Sequence, residues 1–349
     1  MSTSGFSRPR EVILEGLSEG IFTAASVFVE IRGEPVWHEA FGRVGGPGTP
    51  EATHETRFDL ASLTKVLCTT PLWILLAFRN PGILDRPIRT WFPHAPADKE
   101  LVTPRLLLAH ASGLPAWRPY YLYGYVKKDI RSLVLEKILS DGLEYPPGKE
   151  TIYSDLGFIL LGFLTEKEKA RPLGQCFRDE ISVPLGIEDE LLFRPDQKKA
   201  PLALTRSGEA PGLVHDLTCR ALGGMTGHAG LFGTARAVYR VGAEVLAALK
   251  GRLSLFEAAT VREFCRRAGL VPERTRALGF DTPSPVDSTS GKYFSLQSIG
   301  HTGFTGTSLW IDPMKETIVV LLTNRVFAGE GDPRIKSFRP RFHDAIMGR

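Results

Sequence analysis

The segments that read as β-strand sit near the two ends of the chain, and the stretch between them reads mostly as helix. Ala24–Ile31 and Pro35–Phe41 flank Arg32-Gly33-Glu34, a hairpin signal. Towards the other end, Phe294–Gly300, Ser308–Ile311 and Thr317–Thr323 are strand-like, the last two around the turn Asp312-Pro313. Helix is predicted at 11–19, from Thr103-Pro104 (Thr as N-cap, Pro at the first position), over Asp129–Asp141 and Leu156–Leu164, and at 235–250, 254–267 and 334–347. Few folds accommodate this layout. It predicts an α/β (α+β) protein whose central antiparallel sheet is built from both chain ends, flanked by helices, with a mostly helical region inserted. The expectation is one catalytic unit over 1–349. Within it, 11–79 plus 251–349 form the α/β part and 80–250 the inserted part.

With 349 residues, 43% hydrophobic and 23% charged, the chain can bury a large core. Its net charge of +4 is dispersed. The densest basic run (Arg334, Lys336, Arg339, Arg341, Arg349) reads as a solvated helix face, so no nucleic-acid partner is expected. Met1–Arg10 is polar, and no apolar run has signal-peptide or membrane-spanning length. A cytoplasmic location and no membrane partner are the expectation. Cys68, Cys176, Cys219 and Cys265 are far apart and fit reduced thiols. The eight histidines form no metal-ligand spacing, so no metal site is expected. The glycine-dense stretch 223–233 serves tight turns, since no Gly-Lys-Ser/Thr follows to cradle phosphate.

Chemistry enters at Ser62-Leu63-Thr64-Lys65, which opens an apolar run. On a helix, residues three apart share a face, so hydroxyl and amine meet there. A serine needs a base to become a nucleophile, and a lysine can serve if burial and positive surroundings lower its pKa. The pattern alone arises by chance roughly once in a chain of this length. Pro71 lies inside the same apolar run and predicts a kink, at a cost of about 3 kcal/mol unless compensated.

Two further elements follow in order: Tyr153-Ser154-Asp155 and His301-Thr302-Gly303. Together the three resemble the Ser-x-x-Lys, Ser-Asp-Asn and Lys-Thr-Gly set of serine β-lactamases and penicillin-binding proteins. The chain looks like the branch with tyrosine in the second motif: class C β-lactamases, D-alanyl-D-alanine carboxypeptidases and related esterases. Leu107-Leu108-Ala109-His110-Ala111-Ser112-Gly113-Leu114-Pro115, Gly82–Pro87, Pro147-Gly148 and Gly230–Ala235 agree, so the resemblance covers roughly 12–348. It implies a β-lactamase/transpeptidase-like fold with Ser62 as the acylated nucleophile. Lys65 or Tyr153 would be the base, and Tyr153 would also protonate the leaving group. The oxyanion hole would be the N–H groups of Ser62 and Phe304. His301, Thr302 and Gly303 would face the substrate, with His301 binding its carboxylate or orienting Tyr153.

Two departures shape the expected specificity. His301 stands where the lactamases have lysine, which weakens carboxylate binding and makes β-lactam hydrolysis less expected. Asp155 stands where they have asparagine; an ionised carboxylate accepts but cannot donate to a substrate amide. It also reads as a helix N-cap or a counter-ion for Lys65. The first expectation is therefore a carboxylesterase acting through an acyl-enzyme on a small-molecule ester. The alternatives are a D-amino-acid peptidase, amidase or weak β-lactamase acting on wall-derived peptides, and a catalytically silent ligand-binding relative. His110 reads as a buried hydrogen-bonding residue. The aromatic cluster Trp117, Tyr120, Tyr121, Tyr123 and Tyr125 is either core or cleft wall, with a partner-docking surface as a third reading. His215, Asp216 and His228 flank or lie within the glycine-dense stretch, and His228 is counted with Tyr121 and Asp155 among the substrate-binding candidates. Oligomeric state is not legible.

Overall fold

A computed structural model describes residues 3–125, 129–271 and 275–349. Helix α1 (Ser7–Ser18) leads to the hairpin β1 (Ala24–Ile31) and β2 (Glu34–Gly42), then β3 (Phe58–Asp59) and α2 (Thr70–Arg79). The middle holds α3 (Pro104–Leu108), α4 (Ile130–Ser140), α5 (Asp155–Lys169), α6 (Leu173–Phe177) and β4 (Leu191–Phe193). It continues with α7 (Leu217–Ala221), β5 (Leu231–Gly233), α8 (Ala235–Leu249) and α9 (Ala258–Cys265). The chain closes with β6 (Ile299–Thr302), β7 (Ser308–Asp312), β8 (Thr317–Thr323), α10 (Arg325–Gly329) and α11 (Ile335–Met347).

The main sheet has the order β2-β1-β8-β7-β6 and is antiparallel throughout. Ala25 lies opposite Thr323 and Ile31 opposite Thr317, so the two chain ends meet at the sheet centre. β7 and β8 are buried at every residue because both faces are covered. On one face Val27, Val29, Trp310 and Leu321 pack with Phe338 and Phe342 of α11 and Val12 of α1. On the other, Leu309, Ile318 and Val320 join Val238, Val241 and Val245 of α8. Each such side chain contributes about 1.5–3 kcal/mol by leaving water. Double coverage also explains why Ile318–Leu322 is apolar without alternation.

Short polar residues set the helix starts. Thr103, Asp129, Ser154, Asp216 and Thr234 each accept a backbone N–H three residues on, worth about 1 kcal/mol apiece. Ser154, not Asp155, is thus the N-cap of α5. The expected kink at Pro71 takes the form of a π-helical turn over Lys65–Thr69, closed by Thr70 N–H to Lys65 O. Pro71 then sits in the first turn of α2, where its missing N–H matters least.

Three expectations are corrected. Residues 294–298 are not strand: the Ser295 N–H and Oγ both bond the Asp312 carboxylate (2.8 and 2.7 Å), which turns the chain before β6 begins. The helix predicted over 254–267 is only Ala258–Cys265, because Glu257 caps it through the N–H groups of Ala259 and Thr260. A second sheet, β3-β5-β4, joins Phe58–Asp59 to Leu231–Gly233 inside the glycine-dense stretch, which read as turn alone. Among the described residues no helix is long and apolar enough to cross a membrane, and no group of three or more His, Cys, Asp or Glu could hold a metal ion. All four cysteines are free and buried.

Candidate active site

Ser62 begins the turn that enters the π-helical segment. The residue before it, Ala61, has φ of 45°, in the left-handed region that side chains disfavour. The buried Asp59 carboxylate holds that conformation, accepting the N–H of Ala61 at 2.9 Å and of His215 at 2.7 Å. Burial pushes the Asp59 carboxyl up, opposed by those two N–H donors. Opposite it, Gly303 directly follows β6 with no room for a side chain. A Cβ there would collide with Thr307 Oγ1 and lie 2.7 Å from Leu60 O. Glycine is required for this close approach of the β6 edge to the Leu60–Ala61 backbone.

Ser62 Oγ lies 3.1 Å from Lys65 Nζ and 2.9 Å from the Tyr153 hydroxyl. Lys65 is wholly buried. Its ammonium donates to Asp155 Oδ1 at 2.7 Å and to His228 O at 3.2 Å, and sits 4.9 Å from the centre of the Tyr153 ring. Burial pulls the Lys65 pKa down, but Asp155 and Tyr153 outweigh it and the net direction is up. The condition for a lysine base, a lowered pKa, is thus not met in the resting site: the carboxylate in the second motif, also read as a counter-ion, reverses the sign. Burial raises the Tyr153 hydroxyl, and neighbouring Lys65 draws it back only in part. The resting site at neutral pH is a hydroxyl, an ammonium and a phenol.

His110 explains how Tyr153 is held. Its Nδ1 accepts the Ser154 N–H at 3.0 Å, its carbonyl accepts the Ile152 N–H at 3.0 Å, and its ring packs 4.6 Å from that of Tyr153. Burial drives its pKa far below the usual imidazole range, so it stays neutral. His110 is therefore the buried hydrogen-bonding residue the sequence suggested, and it aims the segment 152–154.

The cleft above Ser62 encloses about 420 Å³. Asp155, Tyr121 and His228 line it as expected, together with Trp117, Phe304 and Leu217. The aromatic cluster divides: Tyr120 is core, with its hydroxyl 2.6 Å from Asp141, whereas Trp117 and Tyr121 form cleft wall. His228 reaches Asp216 at 3.0 Å through Nε2 and contacts Thr226 through Nδ1 at 2.8 Å. Burial opposes ionisation of Asp216, but His228 overrides it and holds the carboxyl well below its usual range. His215 stacks on Phe304 at 4.8 Å and contacts Glu330 at 3.0 Å.

His301, Thr302 and Gly303 do not line this cleft. His301 is 2% exposed, its Nδ1 contacts Thr302 O at 2.8 Å, and burial lowers its pKa to about 4. Neutral and enclosed, it packs with its ring 5.9 Å from that of Tyr153 but does not bond the Tyr153 hydroxyl, which is engaged by Ser62. Thr302 borders a different cavity. Phe304 does reach the cleft, and its carbonyl accepts Arg325 Nε at 2.8 Å. Separately, neither its N–H nor that of Ser62 donates a hydrogen bond among the described residues. Arg325 and Asp59 were missed in the sequence. The only trace of either is a charged residue beside an apolar strand.

The β-lactamase family model matches residues 10–338. Proteins from Salmonella agona (strain SL483) and Salmonella schwarzengrund (strain CVM19633), provisionally named D-alanyl-D-alanine carboxypeptidases, are 31% identical over 318 residues. That match covers 81% of this chain and 73% of each relative. Among solved structures, EstCE1, a hydrolase with promiscuous acyltransferase activity, superimposes with a TM-score of 0.79 at 23% identity over 99% of both chains. A penicillin-binding protein homologue from Caulobacter crescentus gives 0.75 at 20% identity, covering 99% of this chain and 97% of its own. The fold and these matches define a serine hydrolase of β-lactamase fold. This chain belongs to the β-lactamase family.

Proposed function

We propose that the protein is a serine carboxylesterase acting through an acyl-enzyme on Ser62. The observation that carries this reading is Ser62 Oγ within hydrogen-bond reach of both Lys65 Nζ and Tyr153 Oη. Lys65 and Tyr153 both hold their protons at rest, so the pair must lose one before Ser62 can react. They titrate as a unit, and activity rises with pH as that proton leaves. The Ser62 proton then passes to the pair as Oγ attacks the ester carbonyl. The free N–H groups of Ser62 and Phe304 receive the developing oxyanion, a contribution of several kcal/mol. Tyr153 delivers the proton to the departing alkoxide, and water enters by the reverse path to release the acid.

Three features favour an ester over an amide. Asp155 is bound to Lys65 and has no N–H to offer a substrate amide. His301 is held neutral by burial and so offers no positive charge to the carboxylate of a peptide substrate. Trp117, Tyr121 and Phe304 make an aromatic wall suited to an apolar acyl or alkyl group. The second reading, a D-alanyl peptidase, is favoured by the names of the Salmonella relatives.

The test is intact mass after exposure to a fluorophosphonate, with Ser62→Ala beside the wild type. One adduct, absent from the variant, is expected. Turnover of short p-nitrophenyl esters, D-alanyl peptides and a chromogenic cephalosporin then ranks the substrate classes, with esters expected first. A folded wild type that takes no adduct overturns the hydrolase reading in favour of a ligand-binding protein.

A further inference from the structure

A larger cavity, about 1160 Å³, lies between the 283–296 segment and α11. Thr302 is on its wall; Ser62, Lys65, Tyr153, Asp155 and Phe304 are not. Lys336, Ser337 and Arg339 come from α11, and Lys292, Ser284 and Ser288 from the facing segment. Arg339 is 8% exposed, yet among the described residues its guanidinium forms no hydrogen bond or ion pair, and its buried Nε is an orphaned donor. Arg325, also buried, shows the ordinary solution: its Nε and Nη1 donate to the carbonyls of Phe304 and Glu330 at 2.8 and 2.6 Å. Burial without a partner brings the Arg339 pKa down to about 10, and the charge of Arg325 adds to that. Two carboxylates border the cavity. Asp344 is already engaged, accepting the Lys292 N–H at 2.6 Å, and Asp287 lies on the opposite segment. Pro283, Pro285, Val286, Phe294 and Leu296 complete the wall with apolar surface.

We propose that this cavity binds a small organic anion, a carboxylate or phosphate monoester carrying an apolar body, whose head pairs with Arg339. A guanidinium offers five N–H donors in a planar fork that matches either oxyanion with two parallel hydrogen bonds. Its burial makes the unpaired charge costly, so an anion entering the cavity relieves a penalty already present in the fold. Lys292 and Lys336 add positive potential, and the apolar wall takes the body of the ligand.

Thermal unfolding of the whole protein with hexyl phosphate, hexanoate or inorganic phosphate, each against NaCl of matched ionic strength, tests this. A rise in Tm of several degrees is expected with one or both of the hexyl-chain probes, and a smaller rise with inorganic phosphate. A response to hexanoate alone identifies the ligand as a carboxylate, and to hexyl phosphate alone as a phosphate monoester. Arg339→Met is expected to abolish the shift while melting no lower than wild type without ligand, because it removes a buried unpaired charge. Lys336→Glu, on the same wall, should reduce the shift at least two-fold and serves if Arg339→Met does not fold. Ser62→Ala should keep the full shift, which separates this site from the Ser62 reading. No shift in the wild type, or a full shift in Arg339→Met, overturns the proposal.

Discussion

Lys65 and Arg339 are both buried cations, yet their surroundings are opposite. Lys65 has a carboxylate at 2.7 Å, a carbonyl at 3.2 Å and two aromatic rings within 5.5 Å. Arg339 has an orphaned Nε donor and another arginine nearby. The pKa of the first is driven up and that of the second down. Burial is common to both, so burial does not decide the sign; the partner does. The Ser62 cleft completes its own charge balance internally. The α11 cavity leaves its balance open to whatever enters.

Removing members of the paired site should have the largest effects. Ser62→Ala should abolish the covalent adduct, and Lys65→Met or Tyr153→Phe should lower ester turnover by about 10²–10⁴-fold in steady-state assays. Asp155→Asn tests the pairing itself. It leaves a buried ammonium without its counter-charge and should cost about 3 kcal/mol in urea unfolding. It should also move the rise of the pH–rate profile to lower pH, because the carboxylate that holds the Lys65 pKa up is gone; an unmoved profile would break the comparison. Stability effects of similar size come from groups buried neutral. His301 and His343 sit near pKa 4 and 3, both lowered chiefly by burial from an ordinary value of 6.5. As pH falls below 6.5 the unfolded chain takes up these protons first. Stability should therefore drop by about 1.4 kcal/mol per pH unit for each, until pH passes below the folded values. Urea midpoints at pH 7.5 and 5 check this. Smallest, Tyr121→Ala should lower turnover of long-chain esters about 10-fold relative to acetyl esters, which competition assays read directly.

The sequence carried much of this, and the gaps have physical causes. Ser62, Lys65 and Tyr153 were legible because their chemistry fixes residue type and order along the chain. Caps such as Thr103 were legible because the hydrogen bond that starts a helix is local. β3, β4 and β5 were not, since strands of two or three residues are too short to show a period. The burial of His301 was invisible because a histidine reads alike whether exposed or enclosed. Asp155 was seen as a possible counter-ion, but its dominance over burial at Lys65 depends on a distance that only the fold supplies.

The pairing of β1 with β8 also bears on the order in which this protein can be made. Ala25 leaves the ribosome long before its partner Thr323. Ser62, Lys65 and Tyr153 are thus synthesised well before Phe304, whose N–H completes the proposed oxyanion hole, and before the strands that close the sheet. A nascent chain carries the nucleophile without the surface that would activate it. Folding must join β1 to β8 across all the elements between them to close the sheet, a long-range step that is intrinsically slow. The acylating power proposed for Ser62 is withheld until β6, β7 and β8 have been made.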